Sequence, residues 1–98
     1  MNKTELLKKA INTYGVQAQK DMMIEEMSEL TKAILKERRA DTFTIEKLAK
    51  DNIREEIVDV QIMLNQMKII YGYKTELENR KLHRLRDKIK RMDGGDKK

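Results

Sequence analysis

Ile24-Glu25-Glu26-Met27-Ser28-Glu29-Leu30 and Glu55-Glu56-Ile57-Val58-Asp59-Val60 place acidic residues where a helix should be apolar. Glu26 and Glu29 are spaced i, i+3, and so are Glu56 and Asp59, so each pair lies on one helix face. Taking about 100° per residue, Glu26 has Met22, Met23, Leu30 and Ala33 within roughly 60° of it. Glu56 is flanked in the same way by Ala49, Ile53, Val60, Met63 and Met67. Four carboxylates on two core-facing stripes repel and desolvate one another unless a cation holds them. A divalent metal is the simplest such cation. Glu25 and Glu55 provide the contrast, each lying about 100° from its neighbour, toward a more polar side.

The rest of the chain predicts an all-α fold. It contains no Pro and only four Gly. Asn2 or Thr4 caps a first helix that runs toward Tyr14. Gly15 marks a break before a long helix from about Val16 to Arg38, with Arg38 and Arg39 favourably placed at the negative end of its dipole. Residues 40–44 read as a short loop, with Thr42 or Thr44 capping the next helix, from about Ile45 to Ile70. Leu48, Ala49, Ile53, Val60, Met63, Leu64 and Met67 recur along it at helical spacing. After a break at Tyr71-Gly72-Tyr73, Thr75 caps a last helix from about Glu76 to Met92. Its predicted buried stripe is Leu77, Leu82, Leu85 and Ile89. The expected architecture is one domain over residues 1–92, a helical bundle whose two long antiparallel helices carry the acids. Residues 93–98 read as a disordered tail.

Charged residues make up 40% of the 98-residue chain and aromatics only 4%, so one copy has little apolar material to bury. An oligomer that shares its core would relieve that shortage. There is no Cys, which excludes disulfides and thiolate metal sites and fits a cytoplasmic protein. No apolar run is long enough to span a membrane and no signal-peptide pattern opens the chain, so neither membrane nor export is expected. From Arg80 onward nine Lys or Arg stand against three Asp, a balance of +6, which leaves −1 for residues 1–79 of a chain carrying +5. The basic end is either a solvated helix face or a partner for an anion, nucleic acid or substrate phosphate.

Oxygen-only ligands with no Cys and one His favour a hard cation, Mg²⁺ or Mn²⁺. Di-iron bundles use Glu-x-x-His pairs, and here the third position after each Glu is Glu29 or Asp59. The lone His83 falls in the basic helix, where a surface or phosphate-contacting role suits it better than ligation. Mg²⁺ sites built from carboxylates leave coordination positions for water and substrate phosphate, so the acids imply a phosphorylated substrate.

Glu25-Glu26-x-x-Glu29, a gap of 26 residues, then Glu56-x-x-Asp59 resembles the EExxE…ExxD signature of the all-α nucleoside triphosphate pyrophosphohydrolases, in particular the small MazG-like branch of phages and Gram-positive bacteria. The similarity extends through Leu30-x-x-Ala33-Ile34, Asp59-Val60-x-Ile62 and Lys81-Leu82-x-Arg84, covering roughly residues 18–90. The resemblance implies Glu26, Glu29, Glu56 and Asp59 as Mg²⁺ ligands and catalytic residues. It implies Lys81 and Arg84 as phosphate-binding residues, with Lys36 approaching the phosphates from the first acidic helix. Asn65 would contact the nucleotide, and Glu25 would orient water or a ligand from outside the coordination sphere. The bland alternatives are a polar bundle position for Asn65 and a solvated side chain for Lys36. The implied reaction is hydrolysis of an NTP or dNTP to the monophosphate and pyrophosphate, for nucleotide-pool sanitation, by a homo-oligomer, a tetramer in preference to a dimer. Base-stacking candidates are few, because Trp is absent and Phe43 is the only Phe; they are Tyr14, Phe43, Tyr71 and Tyr73, and structural packing is the simpler role for each.

Two readings compete with this one. A nucleic-acid-binding helical protein would use Arg80, Lys81, Arg84, Arg86, Lys88, Lys90 and Arg91, but it has no recognition motif and leaves the inward acids unexplained. A structural oligomer without catalysis would not be expected to hold two acid pairs in its apolar seam.

Overall fold

The computed structural model describes residues 1–94, and those residues form four helices and no strand: α1 (Lys3–Tyr14), α2 (Val16–Arg38), α3 (Phe43–Tyr71) and α4 (Thr75–Met92). Of the sequence-predicted tail at 93–98, Asp93 and Gly94 are described, with N–H groups bonded to the Ile89 and Arg91 carbonyls at 2.9 and 3.2 Å, and 95–98 lie outside the described residues. No helix among those described is long and apolar enough to cross a membrane.

Local chemistry sets the helix ends. The Asn2 side chain accepts the Glu5 N–H at 2.8 Å and caps α1. Thr42, rather than Thr44, caps α3 by accepting the Ile45 N–H at 3.1 Å. The helix therefore begins two residues before the predicted Ile45. Thr75 is the first residue of α4 and not its cap; Lys74 holds that position without a side-chain bond. Gly15 (φ 94°, ψ 151°) and Gly72 (φ 82°, ψ 170°) occupy backbone conformations that only glycine adopts at low cost. Their N–H groups close the preceding helices on Ile11 and Lys68 carbonyls at 2.8 Å.

α2 and α3 pack along a continuous seam. The buried and half-buried positions Gln19, Met23, Glu26, Leu30, Ala33 and Glu37 on α2 alternate steps of four and three residues. Ala49, Ile53, Glu56, Val60, Met63, Met67 and Ile70 do the same on α3. This is the heptad rhythm of coiled-coil packing. α1 packs on both helices through Leu7 and Ile11, and the Gln19 amide donates to Gln66 Oε1 at 2.6 Å across the buried interface.

α4 differs from expectation. It packs on none of the other three helices, so its predicted buried stripe is open: Leu82 and Leu85 are 53% exposed, Ile89 is exposed, and only Leu77 is half-buried. The three-residue connection, with Gly72 extended at positive φ and Lys74 at φ −102°, ψ 90°, does not fold the chain back. The radius of gyration is 18.3 Å, against about 12.6 Å for a compact domain of this length.

Candidate metal centre

Glu26 enters the α2 seam from one side, and Glu56 and Asp59 enter from α3. One carboxylate oxygen from each of the three lies within 4.8 Å of the others, and all three residues are half-buried. Among the described residues no Lys or Arg forms an ion pair with any of them. Glu56 Oε2 is buried and has no hydrogen-bond partner. An orphaned carboxylate oxygen is costly to bury, and its usual resolution is a cation or a proton. The Glu26 carboxyl is held above the ordinary glutamate range, first by burial and then by the charges of Asp59, Glu56, Glu25 and Glu29. Glu56 is pushed the same way, first by burial and then by Asp59, Glu29 and Glu55. A hard divalent cation fits this donor set, which is all oxygen, crowded and short of positive charge.

Glu29, the fourth predicted ligand, stands just outside this group. It is exposed and pairs with Lys32 at 3.5 Å, a surface contact of little energetic weight. Its charge still reaches Glu56 across the helix pair. Glu25 is exposed beside Glu26, as its angle predicts.

The other predicted residues are dispersed. Lys36 is exposed ten residues along α2 from Glu26, about 15 Å by helical rise, and lines a groove with Ile45, Leu48, Ala49 and Asn52. Asn65 follows Glu56 by nine residues, which places it about 180° around α3, where it accepts from the Gln61 amide at 3.2 Å. Lys81 and Arg84 lie with Leu85, Lys88 and Arg91 along one basic flank of α4. Because α4 stands apart, a single chain does not bring them to the acids. His83 is exposed on the same helix.

Two features escaped the sequence reading. The buried Gln19–Gln66 pair is one, although Gln19 sits a heptad before Glu26 and shares its seam position. The other is an open groove of about 580 Å³ at the α3–α4 junction, walled by Tyr71, Tyr73, Leu77, Lys81, Leu82 and Leu85. The sequence marks Tyr71-Gly72-Tyr73 as a helix break and offers both tyrosines as base-stacking candidates better explained by packing, but nothing in local spacing signals the groove.

No family model, curated protein or solved structure matches this chain.

Proposed function

We propose that the chain is a Mg²⁺-dependent nucleoside triphosphate pyrophosphohydrolase of the MazG-like kind, with Mn²⁺ as an alternative cation, working as a cytoplasmic homo-oligomer in nucleotide-pool sanitation. One observation carries this reading: Glu26, Glu56 and Asp59 converge within 4.8 Å, with an unbonded Glu56 oxygen and no basic partner. An antiparallel α2–α3 pair belongs to the same reading. It is supported by rising numbers on one helix meeting falling numbers on the other: Gln19 meets Gln66, Glu26 meets Glu56 and Asp59, and Lys36 shares a groove with Ala49.

Glu26, Glu56 and Asp59 would hold the cation. When bound, it would neutralise a triphosphate and lower the pKa of a coordinated water. In the reaction, water adds to the α-phosphorus, the α–β anhydride bond breaks, and pyrophosphate leaves beside the nucleoside monophosphate. Glu29, outside the triad and one turn from Glu26, is left to accept the water's proton on its carboxylate. Lys81 and Arg84 would bind the phosphates from the α4 of a neighbouring copy, with a tetramer preferred to a dimer.

Glu26→Gln and Glu56→Gln test this directly. Each is expected to lower Mg²⁺-dependent pyrophosphate release at least ~100-fold, beyond the ~10–100-fold typical of groups that only support a metal ligand. Circular dichroism should show unchanged helix content. Full activity in either variant removes that residue from the site. A panel of ordinary, deoxy and modified NTPs, scored for pyrophosphate against phosphate, identifies the substrate.

The open, basic α4 favours a second reading, a nucleic-acid-binding oligomer. Its mark would be an affinity for DNA or RNA that falls steeply with salt and is indifferent to Glu56→Gln.

A further inference from the structure

Gln19 and Gln66 are buried in the seam between α2 and α3, 7% and 3% exposed, and joined by the 2.6 Å bond from the Gln19 amide to Gln66 Oε1. The Gln66 amide donates in turn to Met63 Sδ, a weak acceptor, at 3.7 Å. Neither glutamine belongs to the acidic cluster. Two bonded amides in such a place add little stability over two well-packed apolar side chains. Their positions in the sequence supply a different reason for them. Gln19 precedes Glu26 by seven residues, and Gln66 follows Asp59 by seven. Lys36 follows Glu26 by ten and Ala49 precedes Asp59 by ten, and these two line one groove. With α2 and α3 antiparallel, as the proposed function has them, all three pairs belong to a single register. The amide pair then lies one heptad, about 10 Å, from the Glu26–Asp59 pair.

We propose that the Gln19–Gln66 bond fixes the register of α2 against α3 and so holds Glu26 opposite Asp59, which makes the two glutamines positioning residues of the metal centre. The apolar seam does not select a register by itself. Met23, Leu30 and Ala33 on α2 and Ile53, Val60 and Met63 on α3 attract without direction, and methionine adapts to many neighbours. A slide by one seam step would set Gln19 against Met63 or Ile70 and Gln66 against Val16 or Met23. Both amides would then be buried without each other, which is costly. A slide by a whole heptad also parts them.

Any slide that parts Gln19 from Gln66 moves Glu26 along α3 by the same distance. One seam step is about 5 Å and a heptad about 10 Å, against carboxylate oxygens that gather within 4.8 Å. The acids give no help in choosing the register, because without a cation they repel one another. A single polar position in a coiled-coil seam is known to specify register at some cost in stability, and the bonded glutamines fill that role here. The inference rests on the antiparallel helix pair and the cation site of the proposed function, and it adds the device that aligns them.

Pulsed EPR between spin labels at Ser28→Cys and Lys47→Cys tests the register, since the chain has no cysteine of its own. Both sites are exposed and lie about 15 Å apart along the helix pair, so a slide changes their separation. Labelled chain is diluted with unlabelled chain and kept free of metal. The parent should give one distance. Gln19→Met/Gln66→Met keeps the side-chain length without the bond, and should give a broadened or second distance with helix content retained. Gln19→Met/Met23→Gln moves the amide four residues along α2 and leaves Gln66 a partner, so the main distance should move by up to about 6 Å. This second variant decides the matter if the methionine pair does not fold. The parent distance, kept in either folded variant, overturns the proposal. In a Mn²⁺ titration both variants should bind at least ~10-fold more weakly, as when a residue that orients a metal ligand is lost. Unchanged affinity in a chain whose distance has moved overturns the proposal as well. A parent chain that binds no Mn²⁺ removes the metal reading instead, while the distances, taken without metal, still decide the register.

Discussion

Burial and neighbouring carboxylates both hold Glu26 and Glu56 protonated to higher pH than an exposed glutamate. A folded-state pKa above the unfolded one means that the folded chain binds more protons. The contribution of these two groups to metal-free stability is then fully present below the ordinary glutamate pKa of about 4.3 and is lost as pH rises through the raised values. A divalent cation competes for the same oxygens and is favoured once the protons have left. We therefore expect Mg²⁺ to raise the Tm more at about pH 8 than at about pH 5, while in EDTA the Tm falls over the same interval. In Glu56→Gln the EDTA slope should flatten and the Mg²⁺ response should shrink. Calorimetry at the two pH values decides it, and an identical Mg²⁺ response at both would leave the triad without a metal.

Helix boundaries were largely readable from single residues. Gly15 and Arg38 bracket α2 where the sequence places them, because an extended glycine at positive φ and a basic last turn are local signals. The start of α3 was ambiguous between two threonines, and only the observed bond to the Ile45 N–H selects Thr42. Replacing Thr42 with Ala should destabilise the fold by about 1 kcal/mol in urea titrations, while Thr44→Ala should have a markedly smaller effect. Equal effects would mean that the cap does not set the boundary. The apolar rows were legible only as helical spacing: of the α3 positions that spacing gives, Ala49, Ile53, Val60, Met63 and Met67 fall in the seam, whereas Leu48 and Leu64 are exposed. Gln19 and Gln66 were not, because a glutamine on a helix is usually solvated and only the facing partner makes its burial tolerable.

At the scale of the molecule, α1, α2 and α3 form one packed unit, while α4 presents Leu82, Leu85 and Ile89 to solvent. The 18.3 Å radius of gyration and the exposed α4 stripe leave one copy with much apolar surface uncovered, which the proposed homo-oligomer would cover. Folding and association are then linked, and the Tm should rise with protein concentration in scans from low to high micromolar. A Tm independent of concentration would mean that a single copy holds its fold unaided. Linkage also bears on the candidate site: Lys81 and Arg84 reach the acids only if a neighbouring copy presents its α4.

The all-helical character, the four helices and the inward placement of Glu26 and Glu56 follow from the sequence alone. Each depends on spacing within one helix, and a 3.6-residue period orders side chains over short range whatever the rest of the chain does. Tertiary structure decided that Asp59 joins Glu26 and Glu56 while Glu29 turns to Lys32, and that α4 stands apart from the other helices. Those outcomes depend on distances between separate helices, which are set by seam packing and by the backbone angles of one glycine connection, and no periodicity within a single helix contains them.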